Sequence, residues 1–156
     1  MRALIVGAGV AGPVTAMALQ QVGIEAAIFE SHPPSDGELG SYFTMTANGL
    51  EGLAAIGARE LATAAGFPTR RNVMWNETGR RLASLPLDSS VPGSPAAHTM
   101  KRSRLARVLQ EEAIRRGIRI EYGRRLSRAE VTADGHVLAT FDDGSTAAVV
   151  KRREHV

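Results

Sequence analysis

Apolar and polar positions change period several times along this chain, and the changes mark its elements. Residues 2 to 6, Arg2-Ala3-Leu4-Ile5-Val6, form a short, mostly apolar run that stops at Gly7. That is the pattern of a strand buried on both faces of a parallel sheet. From Val10 to Val22 the chain is rich in Ala, Leu, Met and Val, with no helix breaker past the first turn. Pro13 sits early, where a missing N–H costs little, and Gly23 stands where a helix would close. A second apolar run, Ile24 to Phe29, ends in Glu30. Strand, helix and strand in this order spell a βαβ unit with a right-handed crossover.

A simple alternating fold would place another helix next, but Ser31-His32-Pro33-Pro34-Ser35-Asp36-Gly37 is rich in turn residues and the chain leaves on an excursion. Asn48 to Ile56 and Ala58 to Ala65 read as short helices broken at Gly57 and Gly66. Val73 to Trp75 and Arg81 to Leu85, flanking Asn76-Glu77-Thr78-Gly79, predict a hairpin. Ser89 to Ala97 is a Pro/Gly/Ser loop. Ser103 can cap a helix running to Arg116, with Leu105, Val108, Leu109 and Ala113 on its inner face and Gly117 as its stop. Ile118 to Ile120 follows as a third core strand. Leu126 to Thr132, Val137 to Phe141 and Ala147 to Val150, joined by Ala133-Asp134-Gly135 and Asp142-Asp143-Gly144, predict an antiparallel meander. The expected class is α/β: a Rossmann-like βαβ sheet with a helical excursion and a meander, in one domain, since 156 residues are too few for two ordinary ones.

Candidate chemistry concentrates at the first strand–helix junction, Gly7-Ala8-Gly9-Val10-Ala11-Gly12, a GxGxxG string. Gly7 suits a tight turn, Gly9 lets backbone approach a pyrophosphate, and Gly12 lets helix and strand pack closely. The N–H groups and positive dipole end of the helix, reached through Val10 and Ala11, face the phosphates. Glu30 closes the second strand, where a carboxylate accepts hydrogen bonds from ribose hydroxyls and repels a 2′-phosphate, which argues against NADP at this site. These residues alone leave NAD and FAD tied.

The opening GAGVAGPVTAMALQQVGIEAAIFE resembles that of the FAD-dependent aromatic hydroxylases and related class A flavoprotein monooxygenases. TANGLEGLAAIGA is similar to the helix that follows in that family. Met100-Lys101-Arg102-Ser103-Arg104-Leu105-Ala106-Arg107-Val108-Leu109 resembles its RxxLxxxL pattern. The resemblance implies FAD as cofactor, NAD(P)H as transient reductant, O2 as co-substrate and a small-molecule substrate, aromatic in many members. It assigns Arg102 to the flavin side of the cofactor, with Leu105 and Leu109 as packing. It makes residues 1–145 a partial FAD-binding domain, with 31–100 an insertion serving the flavin and substrate side. Residues 146–156 match nothing in the family and read as a divergent charged tail, so the expectation is the N-terminal portion of a longer flavoenzyme. In the family a further strand lies beside the first; without it, that strand has an open edge that a partner chain or a second copy would complete. Ser31 stands where relatives often carry a basic residue.

Composition narrows the alternatives. With no cysteine, disulfides, thiolate metal sites and cysteine nucleophiles are excluded. His32, His98, His136 and His155 are scattered without paired ligand spacing, so no metal site is expected. The net charge is only +3, and of 19 basic residues only Lys101 and Lys151 are lysines. Glu111, Glu112 and Glu121 interrupt the arginines between Arg102 and Arg128, and Tyr122 is the only aromatic among them, so a solvated helix face, not a nucleic-acid surface, is expected. The glycines end the first apolar run too early for a signal peptide or membrane span, and a cytoplasmic protein is expected. Trp75 and Tyr42 are candidates either for a flavin-side pocket or for core and hairpin packing. Two other readings remain: an inactive remnant or interaction module, and an NAD-linked dehydrogenase, against which the lack of a second alternating βα series speaks.

Overall fold

The structure is a computed structural model that describes residues 2–34, 40–87 and 93–149. In chain order the elements are β1 (Arg2–Val6), α1 (Ala11–Gln21), β2 (Glu25–Glu30), β3 (Tyr42–Met45), α2 (Ala47–Ala55), α3 (Arg59–Ala64) and β4 (Phe67–Pro68). They continue with β5 (Arg71–Trp75), β6 (Arg81–Pro86), β7 (His98–Lys101), α4 (Arg102–Arg115), β8 (Arg119–Tyr122), β9 (Leu126–Val131), β10 (Val137–Phe141) and β11 (Thr146–Val149). The mixed α/β class is as expected. Two compact units emerge: Met1–Asp36 with Leu109–Val156, and Gly37–Val108.

In the first unit, β1, β2 and β8 form a parallel sheet in the order β1-β2-β8. Leu4 lies opposite Ala27, and Glu30 opposite Tyr122. α1 is held by burying Pro13, Ala16 and Met17. It ends where the Gly23 and Ile24 N–H groups turn back to the Gln20 and Leu19 carbonyls, so that Gly23 stops the helix as its position predicts. The meander β9-β10-β11 is antiparallel and lays Ala139 and Phe141 against Ala27 and Phe29 in one buried cluster flanked by Leu4, Leu126 and Ala147. The Phe29 and Phe141 rings are tilted with centroids 4.7 Å apart, and the Arg124 guanidinium lies over Phe141 at 5.9 Å. An aromatic pair of this kind adds about 1 kcal/mol beyond its buried area.

The second unit contains the sheet β3-β7-β4 and the hairpin β5-β6. Asn76 shapes the hairpin turn, its side-chain oxygen accepting the Thr78 and Arg80 N–H groups. Leu50, Leu53, Ile56, Ala62 and Met100 are buried here. Strands β3, β4 and β7 were not expected from the pattern. β3 pairs with β7 across more than fifty intervening residues, Tyr42 opposite Lys101, and no local turn announces such a pair. Core packing for Trp75 and Tyr42 is corrected: they are 59% and 61% exposed. α4 begins at Arg102 rather than after a Ser103 cap, because β7 runs straight into it and the Ser41 carbonyl accepts the Arg102 N–H at 3.1 Å.

In the arginine-rich stretch Arg102, Arg104, Glu111 and Arg115 are exposed as expected of a solvated helix face, and Glu112 departs from it. It is buried and held by Arg115 and Arg116, each at 2.7 Å, while Glu121 pairs with Arg119 and Arg124. Parts of the expected 31–37 turn, of the 89–97 loop and of the last strand and tail (residues 35–37, 89–92 and 150–156) lie outside the described residues.

Candidate dinucleotide site

The three glycines of the turn after β1 differ in what demands them. Gly7 has φ +98°, a conformation that side chains rarely adopt, and its N–H donates to the Phe29 carbonyl at 2.8 Å. At Gly12 a Cβ would stand 2.0 Å from the Gly7 carbonyl oxygen, so helix and turn meet there with no room for a methyl group. Both are explained by the fold. Gly9 is not: it is exposed, its φ lies outside the left-handed region, and a Cβ would meet no atom within 4 Å. What glycine provides at this position is an open face. Among the described residues no side chain caps the α1 N-terminus beside it: Val10 makes no side-chain cap and no acidic residue occupies the first turn, which begins with exposed Ala11.

Glu30 ends β2 and reaches back into the turn. Its Oε2 accepts the Ala8 N–H at 2.7 Å, and its Oε1 accepts the His32 N–H at 2.9 Å and the Ser31 hydroxyl at 3.2 Å, with the His32 ring Nδ1 also 2.9 Å away. The Glu30 carbonyl accepts the Arg124 N–H at 2.7 Å, which anchors the strand end. Partial burial pushes the carboxyl up, but the Ala8 and His32 N–H groups, the His32 ring and the Ser31 hydroxyl outweigh it and bring it down to about 2. The group is therefore a carboxylate at every ordinary pH. With one partner on Oε2 among the described residues, it has a second lone pair there that suits a hydroxyl donor.

The Ala8 carbonyl is held as well. Gln110, in the last turns of α4, donates its side-chain N–H to it, and Tyr122 on β8 donates its hydroxyl to the Gln110 Oε1 at 3.0 Å. Burial, then the negative charge of Glu30, pushes the Tyr122 phenol up. Neither residue was singled out from the sequence, since a glutamine after an apolar helix position and a tyrosine ending a short strand carry no motif. Gly7, Gly9, Val10, Ala11, Gly12 and Glu30 are thus gathered at one end of the first unit's sheet. Arg102, exposed, starts α4 in the second unit.

A family model described as an FAD binding domain matches residues 1–150. The chain belongs to this family. Among the relatives of this FAD-binding domain is an FAD-dependent urate hydroxylase of Klebsiella pneumoniae, 28% identical over 152 residues that cover 95% of the chain and 38% of the hydroxylase. The FAD-dependent monooxygenase verC1 of Penicillium polonicum is 32% identical over 108 residues, covering 67% of the chain and 13% of verC1. In three dimensions the domain is similar to Klebsiella pneumoniae HpxO complexed with FAD and uric acid, with a TM-score of 0.77 and 28% identity over 95% of the chain and 37% of HpxO. The chain spans well under half the length of each. FAD, not NAD alone, is the cofactor of the family, which sets aside the dehydrogenase reading.

Proposed function

We propose that this chain is the FAD-binding part of a flavin-dependent monooxygenase that consumes NAD(P)H and O2 to hydroxylate a small molecule. The observation that carries the reading is Gly9, which internal packing leaves open beside an uncapped helix N-terminus and the Glu30 carboxylate. In this reading Gly7, Gly9, Val10, Ala11 and Gly12 hold the pyrophosphate, and the Glu30 carboxylate takes an adenosine ribose hydroxyl through Oε2. Arg102 serves the flavin side, in a second unit that contributes to flavin and substrate recognition. When bound, FAD supplies the redox chemistry, accepting hydride from NAD(P)H and activating O2, while the protein binds, orients and excludes water. The hydroxylase and monooxygenase named among the relatives support the activity, and the uric acid bound by HpxO supports a small, ring-containing substrate.

No helix among the described residues is long and apolar enough to cross a membrane. We place the protein in the cytoplasm, where NAD(P)H is supplied. Among the described residues β1 pairs only with β2, and its outer edge suits one further strand from a partner chain or a second copy. Incubating the chain with FAD, desalting it and recording its visible spectrum tests the reading. One retained flavin per chain supports it and makes O2-dependent NADH or NADPH oxidation the next assay. A folded, colourless protein overturns it.

A further inference from the structure

We propose that Gln110 and Tyr122 are positioning residues of the nucleotide-binding turn, acting through the Ala8 carbonyl to aim the Gly9 N–H at the cofactor phosphates. The proposal rests on the reading of this turn as the pyrophosphate site. The Ala8 carbonyl can only accept, so the amide nitrogen of Gln110 must face it, and Oε1 is left to accept the proton of the Tyr122 hydroxyl. That assigns both ends of the Gln110 amide and fixes its rotation. The peptide joining Ala8 to Gly9 is planar and trans, so its C=O and N–H point in opposite directions. Holding the carbonyl towards Gln110 turns the Gly9 N–H the other way, on the residue whose face is open. The preceding peptide is fixed separately, since Glu30 holds the Ala8 N–H at 2.7 Å. The two clamps set successive peptides of the turn. Without the Gln110 clamp, a peptide flanked by glycine is free to rotate, and a phosphate would have to order it on binding.

The test uses the full chain and FAD. Gln110→Met keeps length and removes the donor; the expected result is FAD affinity about tenfold weaker, the loss of one hydrogen-bonded contact. The Gly9 amide order parameter, near 0.85 in a rigid turn, should fall towards about 0.6 without ligand. Gln110→Glu should bind worse than Gln110→Met at pH 8, where its carboxylate faces the carbonyl, and recover as the pH falls and the acid becomes a donor. A space-filling role would produce no such pH dependence. Tyr122→Phe, the mildest change, should show the same loss in smaller measure and covers the case in which a Gln110 variant fails to fold. Wild-type affinity and an unchanged Gly9 order parameter in Gln110→Met or Tyr122→Phe overturn the proposal. A wild-type chain that takes up no FAD overturns the site reading instead, and the order parameter then decides the clamp by itself.

Discussion

Glu30 and Ala8 are joined by a 2.7 Å hydrogen bond from the Ala8 N–H to the Glu30 carboxylate, so the acidic end of the second strand is part of the glycine turn that follows the first. A motif reading treats them as two features, one for phosphate and one for ribose. In the folded chain a single carboxylate shapes the turn and, in the proposed function, meets the ribose. Charge on that group therefore matters twice.

Glu30→Ala is expected to weaken FAD binding by about 10- to 100-fold, the range for losing a charge-assisted hydrogen bond and loosening the turn that made it. Glu30→Gln keeps an acceptor oxygen for the Ala8 N–H and should lose less. Titration of each variant with FAD by flavin fluorescence measures both. Unchanged affinity in Glu30→Ala would remove the ribose assignment.

Gly9 and Gly12 should part company. Gly9→Ala adds a methyl group where the chain has nothing within 4 Å, so thermal stability should stay within about 0.5 kcal/mol of wild type. Its FAD affinity should drop by about 10- to 100-fold, because the methyl occupies the approach to the phosphates. Gly12→Ala meets the Gly7 carbonyl and should cost about 1–3 kcal/mol of stability before any ligand is added. Calorimetry of the two variants with and without FAD separates the effects.

The βαβ unit was legible because its cues are local: a run that stops at Gly7, a helix without breakers, a second run closed by Glu30. The hairpin was legible from its Asn76 and Gly79 turn, and the meander from Asp-Gly turns. β3 and β7 were not, because each is four residues long and becomes a strand only by pairing with the other. The burial of Glu112 is hidden for the same reason. A glutamate in a charged helix looks solvated until the arginines that cover it are placed. Gln110 and Tyr122 lie twelve residues apart on a helix and a strand, and nothing in either segment says that both converge on Ala8.

Phe141 should be the residue on which the meander depends. It is 3% exposed, stacks on Phe29 and lies under Arg124. Phe141→Ala removes a buried ring and leaves a cavity, with an expected loss of about 3–5 kcal/mol. Phe141→Leu should lose less, since it refills most of that volume. Urea unfolding curves report both.

Acid should unfold the first unit through two carboxyls. Glu112 lies at about 2, below its ordinary 4.5: the Arg115 hydrogen bonds draw it down, burial opposes them, and the hydrogen bond and charge of Arg116 add to the fall. Glu30 lies at about 2 for the reasons given above. Both are lower in the folded chain than in the unfolded one, so the unfolded chain binds more protons between these values. Their contribution to stability is complete above about pH 4.5 and is lost as the pH falls towards 2. Glu112→Gln should therefore lower stability at pH 7 by roughly 1–2 kcal/mol, the smaller figure if water screens the outward-reaching Arg115. It should also make the decline between pH 4.5 and 2 shallower than in wild type. Urea midpoints measured across that window check both, and a parallel wild-type and variant decline would show that Glu112 is not one of the groups whose protonation unfolds the chain.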